Sequence, residues 1–419
     1  MGNSIAIIVC AWPPQGGGMG NNAYYHAKKL AVLDYRVEVF TPKYKSTKAG
    51  QENFKVNYLP MWPRFGLAGF LFALLGRLKD FDIIHLYYPF FGTDLIIWLY
   101  RIFLPLVRRG SQRDGQKRAK RESMNATIGA FSAAQERPGG GLKSQKLILH
   151  YQMDPIGRGW QKIIFNWHIK LFLGPMVRAS NKIIVLSFDH GENSYLAKYI
   201  KKWPDKFVAI PNGIDENIFK PQTKDDGLRQ KYNIGLADKV IIFVGGLDQQ
   251  HYFKGVEILL KAVQDIRGNI KIKLLLVGEG DLKEHYKKLA LDLGINENVI
   301  FTGWIDNADL PKYYSLADIF VLPSTASTES FGIVIAEAQA CGLPAVVSNW
   351  PGSRETLKDG ETGLLIKPGE VNDLSEKLIR LLTDDELKKQ MGESAQIRAK
   401  GLYSWQKVIQ QIDDLYKNL

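Results

Sequence analysis

The chain has 419 residues, 45% apolar and 23% charged, which is enough for two ordinary domains with separate cores and excludes a disordered or fibrous protein. Its two cysteines, Cys10 and Cys341, lie far apart in apolar stretches, which argues against a disulfide framework or a cysteine metal cluster and fits a reducing, cytoplasmic setting. The net charge of +12 is uneven: residues 1–146 hold 21 Lys and Arg against 9 Asp and Glu, and the remainder holds 34 of each, so the first half suits an anionic partner.

The opening residues lack the basic start and long apolar core of a secretory signal and read as a strand, Ile5–Cys10. The strand runs into Trp12-Pro-Pro-Gln-Gly-Gly-Gly-Met-Gly20, and helical composition follows from Asn22 to Leu33. Glycines such as Gly17 either let backbone N–H groups meet a phosphate at a helix N-terminus or form a plain tight turn. β-Branched runs at Val37–Phe40, Ile83–Leu86, Leu147–His150 and Ile183–Leu186 are apolar on both faces, as strands of a parallel sheet are. Two apolar stretches, Phe65–Gly76 and Leu95–Val107, are too short or too broken by charge to span a bilayer. They read as core helices or as surface facing a membrane. Residues 108–146 hold ten Lys and Arg against three Asp and Glu, a basic insertion without periodicity. It carries no interleaved aromatic platform, so nucleic acid is not an expected partner. An anionic membrane surface is expected, with a solvated loop as the alternative.

A second series of strands, Val240–Val244, Lys273–Val277, Val299–Thr302, Ile319–Leu322 and Ala345–Ser348, repeats the pattern. The expected fold is α/β, with two Rossmann-like doubly wound domains facing each other across a cleft. An N-terminal acceptor-side domain covers 1–215 and ends at the turn Ile210-Pro-Asn-Gly-Ile-Asp215. A C-terminal domain covers 216–402, and a helix over 403–419 packs back on the first domain. The second domain opens with a strand, Gly245-Gly246, and then Lys254-Gly255 before an amphipathic helix. Lys254 is placed to meet an anion there, or is a surface lysine. Glu329-Ser-Phe-Gly-Ile-Val-Ile-Ala-Glu337 sets two carboxylates eight residues apart. With a helix start near Gly332, Glu329 lies in the preceding loop and Glu337 in the second turn. The N–H groups of Gly332, Ile333 and Val334 then stay open for phosphate oxygens. The carboxylates can accept hydrogen bonds from sugar and ribose hydroxyls; otherwise Glu329 caps the helix and Glu337 faces solvent.

Taken in order and spacing, these segments resemble the glycosyltransferase family 4 enzymes, the group 1 transferases of the GT-B fold. The resemblance rests on Gly16-Gly17-Gly18, Ile210–Asp215, Lys254-Gly255, Leu276-Val-Gly-Glu-Gly280, Phe301-Thr-Gly-Trp-Ile305, Glu329 with Glu337, Ala340-Cys-Gly-Leu-Pro344, Pro351-Gly352 and Asp359-Gly-Glu-Thr-Gly-Leu364. It covers nearly the whole chain outside 108–146. It implies a retaining, metal-independent hexosyltransferase that moves a sugar from a UDP- or GDP-sugar to a glycan or lipid-linked acceptor. The nucleotide-sugar is then a substrate, and no cofactor is expected. By the same resemblance Lys254 neutralises the donor diphosphate and Glu329 contacts the transferred sugar, both as catalytic residues. Glu337 binds the ribose, Gly303 and Ile305 border the base, and Gly17, Gly246, Gly332, Ile333 and Val334 complete the donor site.

Two departures stand out. Gly246 occupies a position where family members commonly carry Arg, with His251 as a replacement cation. Gln152 stands where the histidine of a His-x-Asp pattern belongs, before Asp154, and His150 lies two residues earlier on the same side of a strand. His150, Gln152, Asp154 and His251 are therefore candidates for the acceptor or sugar side, His150 reading equally as a core residue. The expected location is cytoplasmic, peripheral on the membrane face. A nucleotide-sugar epimerase of the same fold and a noncatalytic basic binding protein are the alternatives.

Overall fold

In the computed structural model, which describes residues 3–13, 17–44, 52–65, 68–103, 145–155 and 160–419, the β-branched runs form two sheets. The first uses β1 Ser4–Ile8, β2 Arg36–Pro42 and β3 Lys55–Leu59, then, beyond a small hairpin of β4 Arg64–Phe65 and β5 Ala68–Gly69, it continues with β6 Ile83–Tyr88, β7 Lys146–Tyr151, β8 Lys182–Val185 and β9 Phe207–Ala209. Its order is β3-β2-β1-β6-β7-β8-β9, and β1 pairs in parallel with both β2 and β6. The second contains β10 Lys239–Val244, β11 Ile272–Val277, β12 Val299–Gly303, β13 Ile319–Leu322, β14 Ala345–Ser348 and β15 Gly363–Ile366. Its order is β12-β11-β10-β13-β14-β15, parallel at every pairing.

Both are Rossmann-like sheets with a reversal of strand order at the centre. In the second, the chain builds outward from β10 through β11 and β12, then returns to lay β13 on the other side. That reversal opens a crevice beyond the carboxyl ends of β10 and β13. The central strands are apolar on both faces because helices cover both: Ile241, Ile242 and Phe243 are fully buried. The helix Val256–Ile266 buries Val256, Leu259, Leu260, Val263 and Ile266, a helical spacing that turns one stripe to the core.

By compactness the chain divides into one unit of Met1–His150 and Gly157–Ile183, with Leu419, and a second of Tyr151–Ile156 and Ile184–Asn418. The boundary therefore falls at Ile183, earlier than the turn at 210–215, because residues 184–215 are tied to the second unit. Ile214 exchanges backbone hydrogen bonds with Tyr403 and Trp405, and the Trp405 ring fills the space beside Gly213. The terminal helix Trp405–Lys417 thus packs on the segment expected to close the first domain.

Among the described residues five strands, β3, β9, β15 and the two-residue β4 and β5, were not marked by the β-branched runs. The first helix begins at Gly17 and runs to Val32, taking in glycines read as loop. Gly16, residues 108–144 of the basic insertion, residues 66 and 67, and residues 104–107 lie outside the described residues. Of the two apolar stretches, the first holds β5 and a short 3₁₀ turn, Phe72–Leu74, and residues 93–103 of the second region are helical. Among the described residues, no helix is long and apolar enough to cross a membrane.

Candidate functional site

The crevice at β10 and β13 is built first from glycine. Gly245 follows β10 and Gly278 follows β11, while Gly303 ends β12. A Cβ on Gly278 would lie on the carbonyl oxygen of Gly245, and one on Gly280 would meet the backbone of Leu247. The Gly278 N–H donates to the Gly303 carbonyl at 3.0 Å. Three strand ends therefore close into a floor made of backbone. Gly245 also leaves room for the stem of Lys254, whose Cδ would lie 2.9 Å from a Cβ there. Gly255, at φ +78°, is left-handed, and a Cβ would collide with the carbonyl oxygen of Pro323 beyond β13.

These constraints aim Lys254, the last residue of the 3₁₀ turn Tyr252–Lys254, into the crevice. Its Nζ lies 3.4 Å from Oε2 of Glu329, with both side chains mostly buried. The helix Ile333–Ala340 starts after left-handed Gly332, which places Glu329 in the preceding loop, as the spacing predicts. Ile333 and Val334 occupy its half-buried first turn, where open N–H groups and the helix dipole favour an anion.

Glu337 does not face solvent. It is 8% exposed, and its Oε2 accepts from the buried Tyr314 hydroxyl at 3.4 Å. Burial pushes its carboxyl up to about 8, although the Tyr314 hydrogen bond and the Lys254 charge pull the other way. Lys254 thus pairs with Glu329 and also acts through its charge on the buried carboxyl of Glu337. Tyr314 carries no motif, and nothing local in the sequence points to it.

Around this core, Gly303 is left-handed at φ +83°, with the Glu279 carboxylate beside it. Ile305 packs half-buried against the hydrophobic core. His251 turns its ring onto Asp248, Nδ1 to Oδ2 at 2.9 Å, and this pair fills the space above Gly246, where a Cβ would meet both. A larger residue at 246 would displace the pair.

The Glu329 loop is also held from behind. Asp189 lies in the helix Phe188–Glu192, capped by Ser187. It accepts from the Gly352 N–H at 2.9 Å and from Nε of Arg354 at 2.9 Å, with Nη2 of Arg354 on its other oxygen. Gly352, at φ +86°, rests on the Ser330 carbonyl with no space for a Cβ. Asp189 is therefore a positioning residue for the loop, one that sequence reading missed because it lies 163 residues from Gly352. Asp189→Ala should cost about 1.5–3 kcal/mol, the range for hydrogen bonds to a charged group. Urea melts of this variant, of Arg354→Ala and of the double variant check it; strictly additive losses would show that no clamp exists. A cavity of about 710 Å³ lined by Phe188, Phe331, Gly352, Arg354, Arg398 and Tyr403 lies behind this clamp, and neither Lys254 nor Glu329 lines it.

The remaining candidates lie elsewhere. Gly17 is exposed at the helix start, φ +52°, with open space around it. His150 is 1% exposed; its Nδ1 lies 3.0 Å from Nε2 of His85. His26 Nδ1 is 2.8 Å from the Tyr87 hydroxyl, which donates to Asn22 at 2.9 Å. The ligand atoms of His26, His85 and His150 lie within 4.8 Å of one another, a convergence invisible without the strand order. Burial drives all three imidazoles below their usual range, His26 to about 3, so they are neutral. Gln152 is buried, and Asp154 accepts from the Tyr151 hydroxyl and from the Tyr195 N–H.

Comparison with known proteins places this geometry. The model of the family described as glycosyl transferases group 1 matches residues 224–398. The D-inositol 3-phosphate glycosyltransferase of Corynebacterium aurimucosum is 32% identical over 234 residues, 54% of each chain. The GDP-mannose-dependent alpha-(1-6)-phosphatidylinositol monomannoside mannosyltransferase of Mycolicibacterium smegmatis is 31% identical over 202 residues, 47% of this chain and 52% of that one. The chain spans about half the length of the curated relatives it matches. Among solved structures, Anabaena HepE in complex with UDP is similar with a TM-score of 0.71 at 20% identity, covering 100% of both chains, which shows the GT-B fold. Residues 224–398, which hold Lys254, Glu329 and Glu337, are thus the part of the chain that matches the group 1 glycosyl transferases.

Proposed function

We propose that the chain is a retaining hexosyltransferase that moves a sugar from a UDP- or GDP-sugar to a glycan or lipid-linked acceptor, without a metal, at the cytoplasmic face of a membrane. The observation that carries this reading is the Lys254–Glu329 pair at the strand-order reversal, 3.4 Å apart beside an open helix N-terminus. A cation and N–H groups suit a diphosphate, and a neighbouring carboxylate suits sugar hydroxyls. Glu337 binds the ribose, and Gly303 and Ile305 border the base. A GDP-mannose-dependent relative acting on a phosphatidylinositol monomannoside supports a lipid-linked acceptor, and the UDP complex of a structural relative supports the donor class.

In the transfer, the bond from the anomeric carbon to the diphosphate oxygen breaks as the acceptor oxygen bonds to the same face of that carbon. The acceptor proton passes to the departing phosphate oxygen, and no histidine base is needed. Lys254 and the helix N-terminus stabilise the charge that develops there.

A screen of the purified chain against UDP- and GDP-sugars, with EDTA present, tests the reading. Donor binding and turnover unaffected by EDTA are expected. Turnover lost to EDTA and restored by magnesium or manganese removes metal independence. Conversion of free nucleotide-sugar without acceptor favours an epimerase, and failure to bind any nucleotide favours a noncatalytic protein.

A further inference from the structure

The first unit exposes an apolar surface on two helices that pack together. Residues 91–103, helical from 93, are joined to the helix Trp160–His168 and its continuation Ile169–Leu173 by several contacts. His168 meets Asp94 at 3.2 Å, Phe91 stacks on Phe165 at 4.3 Å, and Trp98 meets Phe172 edge-on. On the second helix Ile163, Trp167 and Leu171 recur at every fourth residue, with Ile164 beside them. They are 53–61% exposed, and Ile102 and Phe103 of the first helix are 45% and 52% exposed. Apolar residues at this spacing normally face a core; here they face outward.

The charge along the segment of the second helix is of one sign. No Asp or Glu occurs in residues 160–182, where Lys162, Lys170, Arg178 and Lys182 lie. The one acid of the first helix, Asp94, is fully buried under His168. Lys170 lies over the Trp167 ring, Nζ 5.7 Å from its centroid, so its stem follows the apolar face while its ammonium stays in water.

We propose that this helix pair is the surface that docks the protein on an anionic lipid bilayer, with Ile163, Ile164, Trp167 and Leu171 in the acyl–headgroup boundary and the lysines among anionic headgroups. A second copy of the chain is the poorer occupant, because each copy carries +12 and the patch would meet its own positive charge. The tryptophan and flanking lysines match the amphipathic side chains that favour a membrane interface. The inference deepens the reading of a lipid-linked acceptor and moves the attachment from the sequence-wide charge excess to one built face.

Sedimentation of the full chain with vesicles tests it, using phosphatidylcholine alone and phosphatidylcholine mixed with phosphatidylglycerol. The wild-type chain should sediment with the mixed vesicles only, and added salt should release it. Ile163→Ser with Trp167→Ser should weaken partitioning roughly tenfold or more. Lys162→Glu with Lys170→Glu should weaken it and flatten the salt dependence. Circular dichroism and nucleotide binding of the variants report that the fold and the second unit are intact. Neither lipid nor sedimentation involves a sugar donor, so loss of the transferase reading leaves this result standing. Wild-type protein remaining in the supernatant with mixed vesicles, or serine variants that partition like wild type, would overturn the proposal. So would a wild-type dimer in analytical ultracentrifugation that the serine pair converts to monomer.

Discussion

Lys254→Ala should lower turnover about 100- to 1,000-fold, the loss that follows removal of one donor aimed at developing charge in a water-poor site. The side chain is held in place: glycines at 245 and 255 give its stem and its turn their path, and only 12% of it is exposed. Glu329→Ala should lose turnover to a similar extent, while Glu329→Gln, which keeps hydrogen-bonding capacity without charge, should retain more. Steady-state kinetics against thermal melts separate chemistry from folding. The assignment fails if both alanine variants turn over near the wild-type rate while their melts match wild type.

The second large effect concerns a proton. Glu337 ionises near its ordinary 4.5 when unfolded and near about 8 when folded. Between those values the folded chain holds a proton that the unfolded chain has lost. Its contribution to stability therefore declines as pH rises from about 4.5 and levels off above about 8. Glu337→Gln, which never ionises, should gain stability over wild type across that window and show no advantage below it. Ribose hydroxyls donating to the carboxylate would favour its charged form, so nucleotide binding at pH 7 should release close to one proton, and the glutamine variant none. Calorimetry in two buffers of different ionisation enthalpy reads this directly. Equal proton release from wild type and Glu337→Gln would take the ribose role away from this residue.

Much of the scaffold was legible because parallel strands buried on both faces leave unbroken β-branched runs, and ten such runs became strands. Those that escaped have local reasons. Lys55–Leu59, at a sheet edge, starts exposed and then alternates half-buried and buried residues, and Phe207–Ala209 has only three residues. Lys254, Glu329 and the helix start at Gly332 were legible from motif order, since glycine turns and carboxylate spacing are local properties. The burial of Glu337 was not, because it depends on Tyr314, which reaches it from another helix. The same holds for Asp189 on Gly352 and for His150 against His85. Each is a side-chain meeting set by strand order, and no spacing within a single segment encodes it.

The backbone floor of Gly245, Gly278 and Gly303 has a practical corollary for anyone wishing to change what this crevice accepts. Because a Cβ at 278 would strike a neighbouring strand end, a mutagenesis library aimed at the floor would return mostly misfolded clones rather than new selectivities. Diversity has to be introduced at the rim, where Trp304 is 72% exposed and Tyr252 is 52% exposed, and where substitutions can reshape the opening while the strands beneath keep their spacing.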